Sequence, residues 1–333
     1  MSDNIKSGFL LIDSTSSVQY FDDDAKEILG ITEDLLNKKI DALVTDHALL
    51  SSIHEAMDSK SILVKEVTLE DDMSKILSLK VEPFKFLEHD GFFILISDLS
   101  KLRKLEEMQK EFVANVSHEL RTPLTSIRMA SETLQMGAIN DEKMRDKFLS
   151  NIQREADRLT RLVNELLVLA RLDNKVKLQI SKINTVEMLT DVFTVMKHHA
   201  DLNDITLNKD FPEDLPLIEA DRDRIQQVLI NLTDNGIKCN RKNGAVTIFA
   251  KATNDNLEIK IIDTGIGIHK VDIDKIFDRF FRVDKSRSRV TGGTGLGLSI
   301  VKDLIVAHGG NITVESEVNV GTTFCIVLPL KQK

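Results

Sequence analysis

Between residues 99 and 173 apolar side chains recur at spacings of three and four, the period of helices that bury one stripe. Val113, Val116, Leu120, Leu124 and Ile127 form one such stripe. His118 lies two residues from both Val116 and Leu120, about 200° around a helix from its neighbours in the stripe, so its ring faces outward. The sequence Gly137-Ala138-Ile139-Asn140-Asp141 interrupts the pattern, and Asn140 or Asp141 can cap a second helix. That helix carries Phe148, Ile152, Leu159, Leu162, Leu166 and Leu169 on one face, with Arg154, Glu155, Asp157, Arg158 and Arg161 expected opposite. Two long helices joined by a short break predict an antiparallel hairpin. One hairpin cannot bury faces this broad, and pairing with a second copy into a four-helix bundle resolves that. Pro123 removes a backbone donor just beyond His118, which predicts a kink and a plausible hinge there.

The flanking segments alternate on a shorter period. Strand patterns at 9–12, 18–21, 62–69, 76–86 and 92–96, with helical stretches at 24–30, 33–37 and 45–58, predict a small α+β module over 8–98. His89-Asp90-Gly91 is a hairpin signal between its last two strands. The module passes through Asp98-Leu99-Ser100 into the first long helix with no Gly/Pro linker, suggesting mechanical continuity. From 182 to 331 the patterns mix: helices at 185–202, 221–239 and 298–308, and strands at 245–252, 256–262, 311–316 and 322–328.

Composition narrows the class. A chain of 333 residues, 42% hydrophobic and 29% charged, fits a soluble protein of two or three domains. A net charge of -9 argues against nonspecific nucleic-acid or anionic-membrane binding. No apolar run is long enough to span a bilayer, and the first residues lack the apolar core of a signal peptide. Cys239 and Cys325 show no metal spacing and suit a reducing compartment, so a cytoplasmic location is expected.

Three clusters in the last region point to one chemistry. In the first, Asn231, Asn235 and Lys238 fall on one helical face beside an apolar face made by Val228, Leu229, Leu232 and Ile237. Carboxamide oxygens suit Mg²⁺, which retains waters and shares phosphates, and a lysine one turn on reaches those phosphates. Taken singly, such a helix more often just faces solvent. In the second, Ile261-Ile262-Asp263-Thr264-Gly265-Ile266-Gly267 ends an apolar strand in a carboxylate followed by glycines that admit a ligand. A carboxylate there can accept from an exocyclic amino group, distinguishing adenine from guanine. The third, Gly293-Thr294-Gly295-Leu296-Gly297, feeds a helix start whose free N–H groups favour an anion such as triphosphate. Between the last two, Arg279, Arg282, Lys285, Arg287 and Arg289 suit a mobile lid over phosphates, although basic loops are usually only solvated. The glycine loop lacks the Gly-Lys-Ser/Thr of a Walker A motif and the surroundings of a Rossmann fingerprint.

Together these segments resemble a HisKA-type sensor histidine kinase. His118-Glu-Leu-Arg-Thr-Pro123 is similar to the family's H-box, 227–240 to its N-box, Asp263–Ile268 to the G1 box, Phe277–Phe281 to the F-box and Gly293–Gly297 to the G2 box, all in family order. The resemblance covers about 100–331; the 8–98 module resembles, more weakly, a PAS domain. It implies a multidomain α+β protein. The parts would be a PAS-like α/β sensor at 1–98, a helical hairpin at 99–176 forming a dimeric four-helix bundle, and a GHKL-type (Bergerat) α/β sandwich binding ATP at 177–333. It further implies that His118 accepts the γ-phosphate of ATP, with Glu119 as base, and passes it to an aspartate of a cognate response regulator. Thr122 matches the position implicated in dephosphorylating that regulator. Asn235 would hold Mg²⁺, Asn231 and Lys238 would contact metal or phosphates, and Asp263 would read adenine. Gly265, Gly267, Arg282 and the run Gly293, Thr294, Gly295, Leu296, Gly297 would complete the nucleotide site. The chain would be a homodimer through 99–173, either a soluble sensor or the cytosolic portion of a membrane-bound one.

Two departures stand out. Cys239 replaces the usual Tyr or Phe, weakening aromatic contact near adenine, and Asn240 stands where Ser or Thr is frequent. Neither removes a charge or a metal ligand. Two other readings remain: an ATP-driven machine of the same superfamily, such as a mismatch-repair or topoisomerase-like ATPase, in which the His118 hairpin has no role; and a non-catalytic scaffold, which would require damaged nucleotide motifs. His47, His54 and His89 are loose candidates for ligands of the first module.

Overall fold

The computed structural model describes residues 5–31, 36–86, 89–173, 178–283 and 293–332. The chain divides into two compact units, Met1–Val113 and Ala114–Lys333.

In the first unit β1 (Ser7–Asp13), β2 (Val18–Phe21), β3 (Leu63–Thr68), β4 (Ile76–Phe86) and β5 (His89–Asp98) form one antiparallel sheet in the order β2-β1-β5-β4-β3. Helices α1 (Asp23–Leu29), α2 (Ile40–Leu43) and α3 (His47–Ser59) lie between β2 and β3 in sequence. Alternation along β1 buries Leu10 and Ile12, which join Leu49 and Ile53 of α3 and Leu77, Leu79, Ile94 and Ile96 of the sheet in one core. Asp22 caps α1 by accepting from Ala25 N at 2.8 Å. Gly8 is required where β1 meets α1, because a Cβ there would lie 2.0 Å from the Ala25 nitrogen. Two expectations shift. His89, Asp90 and Gly91 belong to β5, pairing with Phe86, Lys85 and Phe84, and the two residues between the strands, 87–88, lie outside the described residues. The helix expected at 33–37 lies mostly outside them too, and Leu36 and Asn37 form a turn.

The boundary between the units falls inside α4 (Ser100–Gln135), which continues through Pro123. Its second-unit portion packs on α5 (Glu142–Asp173) after a 3₁₀ turn at Ala138–Asn140, and Asp141 caps α5 by accepting from Met144 N. The buried seam contains Pro123, Ala130, Leu134, Leu162 and Leu169. Val113 and Leu124, expected to pack, are 57% and 55% exposed, as are Leu149, Val163 and Leu167 to similar degrees. The broad apolar surface is therefore split: one half seals the hairpin and the other half is uncovered in a single chain. Arg158 and Glu155, expected on the polar face, instead sit on the inner seam, their side chains only 13% and 15% exposed. Long polar side chains at the edge of an apolar stripe can bury their stems and turn their heads inward towards a partner.

The rest of the second unit is a two-layer α/β domain. β7 (Thr206–Asp210), β9 (Ala245–Ala252), β10 (Asn256–Asp263), β11 (Asn311–Glu317) and β12 (Gly321–Pro329) form a sheet of order β11-β12-β10-β9-β7, with only β7 and β9 parallel. β6 (Ser181–Ile183) pairs with β8 (Ile218–Ala220) apart from it. Helices α6 (Thr185–Leu202), α7 (Arg222–Lys238) and α9 (Gly297–Ala307) carry the inward stripes Met188-Leu189-Val192, Val228-Leu229-Leu232 and Ile300-Val301-Leu304; α8 (Lys270–Ile273) is a single turn. On the sheet, Ile248, Ile259, Ile261 and Ile326 alternate inward. β6, β7, β8 and α8 were not apparent from the sequence pattern. Buried His308 ties two helices together: its Nε2 accepts from the Asp221 backbone N–H ahead of α7 at 3.1 Å, so Nδ1 carries the proton and donates to Leu304 O at 2.7 Å. Among the described residues no helix is long and apolar enough to cross a membrane.

Candidate functional site

His118 is exposed on α4, as the helical period requires. Beside it, the Glu119 carboxylate accepts a charged hydrogen bond from Arg158 Nη2 of α5 at 2.8 Å, the two side chains being 24% and 13% exposed. Glu119 uses Oε2 for this bond, and among the described residues its Oε1 has no partner. The next turn carries Thr122, exposed, with its hydroxyl donating to the His118 carbonyl at 3.2 Å. Pro123 comes next and cannot donate to the Glu119 carbonyl four residues earlier, so side chain and proline together loosen the backbone bonding at His118 and Glu119. An imidazole, a fixed carboxylate and a hydroxyl thus share one exposed stretch of helix.

The second set of residues lies around α7, the end of β10 and the loop before α9. Asn231, Asn235 and Lys238 are half-buried along α7, whose opposite face is core. Among the described residues neither asparagine side chain has a hydrogen-bond partner, leaving both carboxamides available. Lys238 pairs with Asp234 one turn back. At the end of β10, Asp263 is only 8% exposed. Its Oδ1 accepts from Gly265 N at 2.8 Å and Thr322 N at 3.2 Å, which orients the carboxylate and leaves Oδ2 without a partner among the described residues. Burial pushes this carboxyl up from its ordinary value, and the two backbone donors oppose that shift.

The glycines are needed where backbones crowd. A Cβ on Gly265 would lie 2.5 Å from the Cys239 carbonyl, and one on Gly267, at φ 70°, 2.1 Å from the Glu317 carbonyl. Gly295, at φ 77°, abuts the Phe280 backbone. Among the described residues no atom would lie within 4 Å of a Cβ on Gly297, so their packing does not explain that glycine. Leu296 is a buried core residue whose N–H donates to the Thr294 hydroxyl, so its side chain anchors the loop. Arg282 donates to the Gly293 carbonyl, and a Cβ on Gly293 would lie 3.4 Å from Arg282 Nη2. Burial pushes the Cys239 thiol up, reinforced by the Asp263 carboxylate, with Lys238 and Arg282 acting in the opposite sense. Exposed Cys239 thus lies within electrostatic reach of Lys238, Asp263 and Arg282. Asn240, the other departure from the family pattern, braces the site: its carboxamide donates to Ala245 O and accepts from Thr264.

The two sets approach each other within the second unit. Burial lowers the Arg282 guanidinium, and the Glu119 carboxylate beside His118 partly restores it. Farther along α5, Glu165 accepts a hydrogen bond from Thr294 of the glycine loop. The structure thus brings α7, the end of β10, Arg282 and the glycine loop next to one another, with His118, Glu119 and Thr122 on the hairpin of the same unit. Lys285, Arg287 and Arg289 lie outside the described residues. Sequence reasoning missed Arg158 and Glu165. Both sit on the apolar side of α5, and a charge interrupting an otherwise apolar stripe was the available signal.

Residues 108–175 match the His Kinase A (phospho-acceptor) domain, and 220–332 match the histidine kinase-, DNA gyrase B-, and HSP90-like ATPase family. The chain is 33% identical over 336 residues to the sensor histidine kinase WalK of Bacillus subtilis (strain 168), covering 98% of this chain and 54% of that protein. It is 35% identical over 332 residues to a WalK sensor protein kinase of Staphylococcus aureus, covering 98% of this chain and 79% of that one. It thus spans about half the length of the Bacillus relative. The histidine kinase ThkA, solved in complex with the response regulator protein TrrA, shares the fold with a TM-score of 0.55 at 22% identity, covering 99% of this chain and 98% of that one. Matches to both families, in the order and at the places where the two residue sets lie, establish that this chain belongs to the sensor histidine kinase family.

Proposed function

We propose that this protein is a homodimeric, ATP-dependent protein-histidine kinase that phosphorylates itself on His118 and passes the phosphoryl group to an aspartate of a response regulator. One observation carries this reading. Support comes from one unit that holds an exposed imidazole with a neighbouring, hydrogen-bonded carboxylate on a helical hairpin, together with a buried Asp263 carboxylate, two unengaged carboxamides and a glycine loop. The ThkA–TrrA complex lends support for a regulator partner, since that kinase was solved with one.

The chemistry derives from the groups present. The lone pair of one His118 nitrogen attacks the γ-phosphorus, a P–N bond forms, the bond to the bridging oxygen breaks, and ADP leaves with that electron pair. The other ring nitrogen gives up its proton to Glu119, whose Oε1 is open to receive it while Arg158 holds Oε2. Transfer of this kind depends chiefly on positioning and charge neutralisation. Among the described residues no group of three or more His, Cys, Asp or Glu could hold a metal, so a bound Mg²⁺ would rely on carboxamides, water and phosphates. Asn235, with Asn231 one turn back, fits that role, and the ion would supply charge neutralisation on the phosphates. Asp263 Oδ2 accepts from the adenine amino group. Thr122 orients water for dephosphorylation of the regulator, giving the kinase an opposing phosphatase activity.

The remaining parts complete the proposal. Residues 1–98 are a PAS-like sensor, for which the five-stranded antiparallel sheet with helices inserted between β2 and β3 is the support. Residues 99–176 are the dimerisation and phosphotransfer hairpin, and 177–333 the ATP-binding domain, operating on the cytoplasmic side. Incubation with γ-labelled ATP and Mg²⁺ tests the reading. Wild type should gain acid-labile, alkali-stable label, and Asp263→Asn or Asn235→Ala should cut its rate by about 100-fold. In the same assay Thr122→Ala should label normally but lose most dephosphorylation of a labelled regulator. Sustained ATP hydrolysis without any phosphoprotein would replace this reading with an ATPase of the wider superfamily.

A further inference from the structure

Two side chains assigned to phosphate recognition already face carboxylates of this same chain. The Thr294 hydroxyl donates to Glu165 Oε2, and Lys238 pairs with Asp234 while also drawing on the charge of Glu165. Glu165 reaches this place from α5, which packs against α9 immediately beyond the glycine loop. Thr294 is itself buried. A hydroxyl has one proton to give, so Thr294 cannot donate to Glu165 and to a phosphate oxygen together. A carboxylate oxygen and a phosphate oxygen are the same kind of acceptor for a hydroxyl and an ammonium group. The two anions also repel each other at this range in a desolvated setting.

We propose that Glu165 is an internal competitor for the polyphosphate of the nucleotide: its carboxylate stands in for a phosphate oxygen at the glycine loop, so seating α5 there and binding the phosphate chain exclude one another. This rests on the nucleotide reading above. Burial pushes the Glu165 carboxyl up, and the Thr294 hydrogen bond with the charges of Arg161 and Lys238 opposes that shift and favours the carboxylate. The consequence is selective. Ligands carrying phosphates must displace Glu165, whereas adenosine, which would engage Asp263 alone, need not. Nucleotide binding would then also free the ATP-binding domain from α5.

The test is calorimetric titration of the full chain with Mg²⁺ and the non-hydrolysable ATP analogue AMPPNP, and with adenosine. Glu165→Gln keeps an acceptor for Thr294 but removes the charge; Glu165→Ala removes both. Both should bind AMPPNP at least about fivefold more tightly than wild type, with adenosine affinity unchanged. Asp157→Asn, an exposed change on the same helix, should leave both ligands as in wild type. Unchanged or weaker AMPPNP binding in both Glu165 variants would overturn the proposal, as would equal tightening towards adenosine. No AMPPNP binding to any protein, wild type included, would remove the nucleotide reading and the competitor with it.

Discussion

At the scale of single residues, charge placement separates what acts from what holds. His118 is exposed, next in sequence to the Glu119 carboxylate, while His308 is fully buried and bonded on both ring nitrogens. Burial pushes His308 below its ordinary value. The unfolded chain therefore binds a proton at about pH 6.5 that the folded chain resists. Stability from this residue is complete above that pH and is lost as pH falls towards the folded value. Asp263 and Glu165, whose carboxyls are raised by burial, act in the opposite sense, losing stability as pH rises. Comparing variants isolates the histidine. Denaturant melts between pH 7.5 and 5 should show a smaller acid loss for His308→Gln than for wild type; equal slopes would contradict this. The outward face of His118 was legible because helical period fixes direction. The depth of His308 was not, because a histidine ahead of Gly309-Gly310 looks like part of a surface turn.

At the scale of elements, long periodic helices and alternating strands were readable, and short or polar ones were not. β10 alternates cleanly and ends in Asp263, so both strand and site emerged from one pattern. β7 reads Thr-Leu-Asn-Lys-Asp, with only Leu207 buried, and its strand character comes from parallel pairing with β9. Such pairing leaves no local mark. α5 shows the same limit: Arg158 meets Glu119, 39 positions away, so its inward turn depends on a distant partner. The uncovered side of the hairpin, with Val113, Leu124 and Leu167, makes the second copy an energetic requirement rather than a formality. A carboxylate at Leu124 would be left uncompensated in that interface at a cost of roughly 3–5 kcal/mol. Light scattering should find wild type as a dimer and Leu124→Glu dissociating at concentrations about 100-fold higher or more. A monomeric wild type, or an undiminished dimer for the variant, would contradict the four-helix bundle.

At the scale of the whole molecule, the proposed reaction draws on two residue sets separated in sequence. On that reading the hairpin would supply the nucleophile with its base, and the α/β domain the site for adenine and phosphates. The motifs made each half recognisable in isolation. Their mutual contacts were not legible, because Glu165 with Thr294 and Arg282 with Glu119 join residues 129 and 163 positions apart across independently patterned elements. Those interactions bring the glycine loop to the hairpin and leave His118 at the surface, so on the proposed reading access of nucleotide to the histidine would be the step open to regulation. A signal in the first unit that changed packing along α4 would act on it.

The central claim is that phosphate from ATP becomes covalently bound to the His118 ring. Phosphorus NMR of the full chain after incubation with Mg²⁺ and ATP, together with mass spectrometric mapping under alkaline conditions, measures it most directly. A phosphoramidate signal mapped to His118 in wild type, and absent from His118→Gln, is the expected result. Phosphate on any other residue, or an unchanged signal in His118→Gln, would contradict the account.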